Sequence, residues 1–145
     1  MNYTLHENTL CAQDALLLRQ SAGWGGSGMP IEQLQAGIHN SLCTVCAVAD
    51  GTTVGMGRLV GDGATICYVQ DVIVLPQYQG LGIGTAIVQH LLHFVAKQAL
   101  PGTHVAVGLF SAQGKEGFYE KFGFTTRPNT LRGAGMECVV TAKSQ

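Results

Sequence analysis

The sequence predicts an α/β fold, a mixed sheet built on an antiparallel meander and flanked by about four helices. Three observations lead there. The turns Asp50-Gly51 and Gly61-Asp62-Gly63 separate three runs rich in β-branched and apolar residues, and Asp-Gly between such runs is a strong short-range hairpin signal. Ile83, Ile87, Leu91, Phe94 and Val95 then recur on one stripe of a long helix. A further apolar run, His104 to Phe110, returns the chain to the sheet.

In order, residues 2–5 read as a short first strand. A helix follows from Ala12 to Ser21 and stops at the glycine-rich loop Ala22 to Gly28, which carries Trp24, the single tryptophan. Pro30 marks a second helix start, with Ile31, Leu34 and Ile38 at helical spacing through Asn40. The meander strands run Leu42 to Ala49, Thr52 to Val60 and Ala64 to Leu75. Pro76 closes the third, because proline cannot donate to the ladder. The long helix spans Gly82 to Leu100 and ends at Pro101-Gly102. His104 to Phe110 reads as a buried strand and Gly114 to Phe122 as a short helix stopped by Gly123. Phe124 to Thr126 reads as extended chain, and residues 136–141 as a last strand. At 145 residues, with neither repeat nor linker, residues 1–145 are expected to form one domain.

Hydrophobic residues make up 46% and charged residues 12%, so a packed core is expected rather than disorder. Eight basic and nine acidic residues give a net charge of −1, and no general field draws the protein to nucleic acid or anionic membranes. The longest apolar stretch, Ile83 to Leu100, is broken by Gln89, His90, His93, Lys97 and Gln98, too polar for a span. Five cysteines and an opening without a basic-then-apolar segment point to a cytoplasmic protein with reduced thiols. Cys43 and Cys46 have C-x-x-C spacing, but on a strand they face opposite ways and cannot share an ion. His90 and His93 share a helix face without a third ligand. No metal is expected.

Chemistry concentrates in Val72-Ile73-Val74-Leu75-Pro76-Gln77-Tyr78-Gln79-Gly80-Leu81-Gly82-Ile83-Gly84-Thr85: a buried strand, a glycine-punctuated turn and a helix start. Uncovered amides and the positive end of the helix dipole make an anion site suited to phosphate. The dinucleotide fingerprint fails, because Thr85 or Ile87 stands where a small residue is needed. The ATP-binding loop fails as well, because Gly114-Lys115 is followed by Glu116.

Gln79-Gly80-Leu81-Gly82-Ile83-Gly84 matches the Q/R-x-x-G-x-G/A signature of the GNAT superfamily of acyl-CoA-dependent N-acetyltransferases. Residues 118–124, Phe-Tyr-Glu-Lys-Phe-Gly-Phe, resemble that family's second signature, and the order of elements is similar over nearly the whole chain. The resemblance implies a GNAT-like fold whose central sheet is splayed. It implies that the amides of Gln79, Gly80, Leu81, Gly82, Ile83, Gly84 and Thr85 hold the pyrophosphate of acetyl-CoA, the acyl donor. It implies that Val72, Ile73 and Val74 pair their backbone with the pantetheine arm, and that Tyr119 protonates the departing thiolate or lowers the cost of its charge by a hydrogen bond.

The attacking amine must be neutral, so a base has to take its proton, directly or through water. The family's usual base positions correspond to Tyr68 and Gln70, neither a carboxylate. Asp71 is the nearest acid and faces away if the strand alternates regularly, unless a β-bulge turns it inward. Asp71 and a water chain ending at Tyr68 both remain open as the base. Trp24 is either a lid over the substrate or a plug between the first two helices. With Trp24, Tyr68 and Gln70 lining the acceptor side, the sequence is read as an acetyltransferase acting on a primary amine of a small molecule by direct attack in a ternary complex. A homodimer is left open. The competing readings are a non-catalytic acyl-CoA-binding or sensing module and an interaction domain with a degenerate loop.

Overall fold

The structure, a computed structural model, describes residues 2–24 and 28–145. The chain divides into two compact units, one ending at Phe110 and one spanning Ser111–Gln145.

The first unit holds β1 (Thr4–Glu7), α1 (Ala12–Ser21), α2 (Ile31–His39), β2 (Cys43–Ala49), β3 (Thr52–Gly61), β4 (Ile66–Val74), a 3₁₀ turn (Pro76–Tyr78), α3 (Ile83–Gln98) and β5 (Ala106–Gly108). The strands form one sheet in sequence order, antiparallel from β1 to β4 and parallel between β4 and β5. This is the mixed sheet the hairpin signals predict. The turn between β3 and β4 is held by Asp62, whose carboxylate accepts from the backbone N–H groups of Ala64, Thr65 and Ile66. The Thr65 hydroxyl and those amides keep its carboxyl below the usual range.

Both sheet faces are covered. On one, Leu18 of α1 and Leu34 of α2 pack with Cys46, Met56 and Ile73. On the other, α3 lies so close to β3 that a Cβ at Gly57 would stand 2.6 Å from Ile87 Cγ2 and 3.1 Å from Leu91 Cδ1. Glycine in a strand interior marks such a close approach. Sheltered on both sides, β2 is a nearly continuous buried run.

All five cysteines are unpaired; Cys43, Cys46 and Cys67 are buried, and Cys11 and Cys138 are exposed. Burial pushes the Cys43 thiol up to about 12 and raises those of Cys46 and Cys67. The stability gained by burying neutral thiols is therefore complete below the ordinary thiol value and is lost as pH climbs from there through about 12. Because the thiolate is the reactive form, a native Ellman titration is expected to count two fast thiols and release the other three only on unfolding. Five fast thiols would contradict this packing.

Two expectations are corrected. Of the predicted strand His104 to Phe110, only Ala106–Gly108 pairs, and it is exposed to half-buried rather than buried. It sits at the sheet edge, and its ladder with β4 stops at Tyr68. Residues 136–141 form no strand: Met136, Val139 and Val140 are almost fully exposed. Their β-favouring composition needs a ladder partner to act on, and they have none among the described residues. The first strand also lies two residues later than expected. In the second unit, α4 (Glu116–Glu120) is shorter than the helix read from Gly114 to Phe122.

Candidate active site

β4 pairs with β5 only through Ile66↔Ala106, Cys67↔Val107 and Tyr68↔Gly108. Beyond Tyr68, the β5 side of β4 has no strand neighbour among the described residues, so Val72, Ile73 and Val74 lie on an open edge. That is the splay implied by the sequence resemblance, and such an edge is suited to pairing an extended ligand.

The chain then turns from this edge into α3. Gln79 Nε2 donates to the Val74 carbonyl at 3.0 Å, and the Leu75 N–H donates to Val54 O at 2.9 Å, fixing the loop to the strand. Gly80 (φ 78) and Gly82 (φ 84) both adopt left-handed backbone, and Gly82 is the N-cap of α3 without a side-chain cap. The first-turn amides of Ile83, Gly84 and Thr85 therefore have no intrahelical acceptor. No acidic residue occupies that turn. A Cβ at Gly80 or Gly82 would meet no atom within 4 Å. Internal packing thus does not demand glycine there, whereas the backbone conformation does, and the open space leaves those amides accessible.

Gly82→Val is accordingly expected to strain the backbone by about 1–2 kcal/mol and to weaken acetyl-CoA binding at least tenfold, about 1.4 kcal/mol. Calorimetric titration of the folded variant checks this. Unchanged affinity would place the phosphates elsewhere.

Upstream, β4 carries an irregularity that its alternation hides. The register passes from Arg58↔Gln70 to Met56↔Ile73, so Asp71 and Val72 together oppose Gly57. Asp71 has φ 55, rare for a non-glycine residue and costing on the order of 1–2 kcal/mol. The bulge brings Gln70 and Asp71 to the same face of the sheet, that of α1 and α2.

Each oxygen of Asp71 nevertheless already accepts a guanidinium donor there. Arg19 Nη1 of α1 donates to its Oδ1 at 2.8 Å, and Arg58 Nε of β3 to its Oδ2 at 3.0 Å. The Asp71 side chain is 1% exposed. Arg58 Nη1 also donates to Gly37 O and Ser41 Oγ at the end of α2. Of the two bases left open, Asp71 and a water chain ending at Tyr68, Asp71 already accepts a guanidinium donor on each oxygen, which weighs against it as the base.

Tyr68 and Gln70 are half-buried, and Tyr68 packs edge-on to Phe110 with ring centroids 5.2 Å apart. Trp24 is exposed, with the Arg19 guanidinium 5.5 Å from its ring centroid. The plug reading of Trp24 is thereby corrected: a ring stacked on an arginine and 38% exposed is not wedged between helices. The loop reading for Ala22 to Gly28 falls partly on residues 25–27, outside the described residues.

In the second unit, half-buried Tyr119 packs edge-on against Phe118 and Phe124. Burial pushes its phenol above the ordinary value, so it holds its proton throughout the neutral range. Arg19 and Arg58 are the residues sequence reasoning missed. Their only signal is that Arg58 falls within a strand otherwise short of charge. No group of three or more His, Cys, Asp or Glu converges among the described residues. His90 Nε2 instead meets Glu7 Oε1 at 3.1 Å.

A splayed mixed sheet with an uncapped glycine turn at its open edge defines a protein of the acetyltransferase fold. The model of the GNAT acetyltransferase domain matches residues 40–126, well over half of the chain. A GNAT family acetyltransferase from Streptococcus pneumoniae superposes with a TM-score of 0.77 at 30% identity, over 97% of this chain and 100% of that one. A protein of unknown function from meticillin-resistant Staphylococcus aureus gives 0.82 at 29%, over 96% and 100%. The chain belongs to the GNAT acetyltransferase family.

Among curated relatives, the uncharacterised N-acetyltransferase ycf52 of the alga Pyropia yezoensis is 28% identical over 80% of this chain and 66% of its own length. Chloroplastic serotonin N-acetyltransferase 2 of rice is 32% identical over 57% and 40%. The matched regions thus span less than two thirds of these relatives. No described helix is long and apolar enough to cross a membrane.

Proposed function

We propose that residues 1–145 act as one transferase domain that moves an acetyl group from acetyl-CoA to a primary amine of a small molecule, by direct attack in a ternary complex. The carrying observation is the uncapped α3 N-terminus with two left-handed glycines, directly beyond a strand edge that has lost its neighbour. The relatives named as N-acetyltransferases support an amine acceptor.

In this reading, the amides from Gly80 to Thr85 hold the pyrophosphate, and the Val72–Val74 backbone aligns the pantetheine. The acceptor nitrogen bonds to the acetyl carbon, and the bond from that carbon to sulfur breaks. Neutral Tyr119 gives its proton to the departing sulfur. The proton lost by the amine passes through a water chain by way of the Tyr68 hydroxyl to solvent, because each Asp71 oxygen already accepts a guanidinium donor, and solvent returns a proton to Tyr119. The same engagement favours a second reading, a module that binds or senses acyl-CoA without turnover. The proposal includes a cytoplasmic protein that uses neither metal, nucleic acid nor membrane, with a homodimer as its candidate assembly.

Free CoA release across a panel of amines separates the two readings. Amine-dependent release is expected of the enzyme. Saturable acetyl-CoA binding with no release from any amine would make the chain a binding module.

A further inference from the structure

Arg19, Arg58 and Asp71 form a cluster with two positive charges and one negative. Their side chains are 15%, 12% and 1% exposed. Arg58 is also bound to neutral partners, Gly37 O and Ser41 Oγ. Arg19 spends one terminal nitrogen on Asp71 and lies against the Trp24 ring. The surplus charge therefore resides at Arg19, the more exposed guanidinium. A partly buried, uncompensated cation is costly unless an anion completes it. The bulge at Asp71, directly before Val72, places the cluster beside the open strand segment that the proposed reading assigns to the acyl arm.

Resting on the reading of the chain as an amine acetyltransferase, we infer that its acceptors are amines that also carry a carboxylate, the amino-acid class, and that Arg19 is the specificity-determining residue that receives it. Guanidinium offers a planar fork of donors matched to a carboxylate. The donors left after Asp71 suffice for a second carboxylate, and Trp24 closes one side of the guanidinium. Asp71 sets the orientation of Arg19 and is a positioning residue.

The test compares each amino acid with its decarboxylated partner, phenylalanine with phenethylamine and lysine with cadaverine, by CoA release and by quenching of Trp24, the single tryptophan. The carboxylated member is expected to have a kcat/KM at least tenfold higher, mainly through KM, and to perturb Trp24 fluorescence at lower concentration. Arg19→Gln should erase that ratio with little change in acetyl-CoA affinity, and Arg19→Lys should restore part of it. Equal kcat/KM within each pair, or a ratio that survives in folded Arg19→Gln, would overturn the inference. If no amine releases CoA, the transfer reading falls. The carboxylate site would then still stand on an Arg19-dependent fluorescence response to the amino acids, and would be overturned by the lack of one.

Discussion

Asp71→Asn is expected to destabilise the fold by about 3–5 kcal/mol, because removing one partner of a buried ionic cluster leaves the others uncompensated. Here two guanidiniums would lose the one carboxylate they pair with among the described residues, at side-chain exposures of 15% and 12%. Asparagine tolerates the left-handed backbone at φ 55, so the loss reports charge rather than strain. Arg58 keeps Gly37 O and Ser41 Oγ, which places the effect toward the lower end. Urea denaturation measures it. A loss under about 1 kcal/mol, the scale of an exposed pair, would mean that the cluster is solvated and Asp71 is available for chemistry.

Tyr119→Phe is expected to lower kcat roughly 10²-fold with little change in acetyl-CoA affinity, because it removes only the proton the departing sulfur needs. The sign of the pH dependence follows from burial. The phenol is raised, so it stays protonated beyond the ordinary tyrosine range. If Tyr119 is the acid, activity should not decline with its ionisation until pH exceeds about 10, and the phenylalanine variant should lack that alkaline limb. A loss below about threefold would assign Tyr119 to packing among Phe118 and Phe124.

Local signals made much of this molecule legible. Asp-Gly turns placed the meander, Pro76 closed β4, α1 begins and ends at Ala12 and Ser21 as read, and Gly80 and Gly82 stand where positive φ is required. What stayed open or failed depends on distant partners. The adjacent polar pair Gln70-Asp71 leaves a bulge open in the sequence, and pairing with β3 at Gly57, which has no side chain to resist the close approach of Val72, fixes it.

The occupation of Asp71 was equally hidden, since Arg19 and Arg58 lie 52 and 13 residues away along the chain. A sequence shows a carboxylate near the right strand; only the fold shows that its oxygens are taken. Residues 136–141 failed for the complementary reason, having strand-like composition without a strand to join.

In the proposed site the turn from Gly80 to Thr85 holds the pyrophosphate of an acyl donor whose pantetheine lies along the open edge of β4. Calorimetric titration with acetyl-CoA and with S-acetylpantetheine, which keeps the acyl arm and lacks the pyrophosphate, tests it most directly. Saturable binding of acetyl-CoA is expected, with at least tenfold weaker binding of S-acetylpantetheine, about 1.4 kcal/mol. Equal affinity for the two, or no binding of acetyl-CoA to the folded protein, would contradict it.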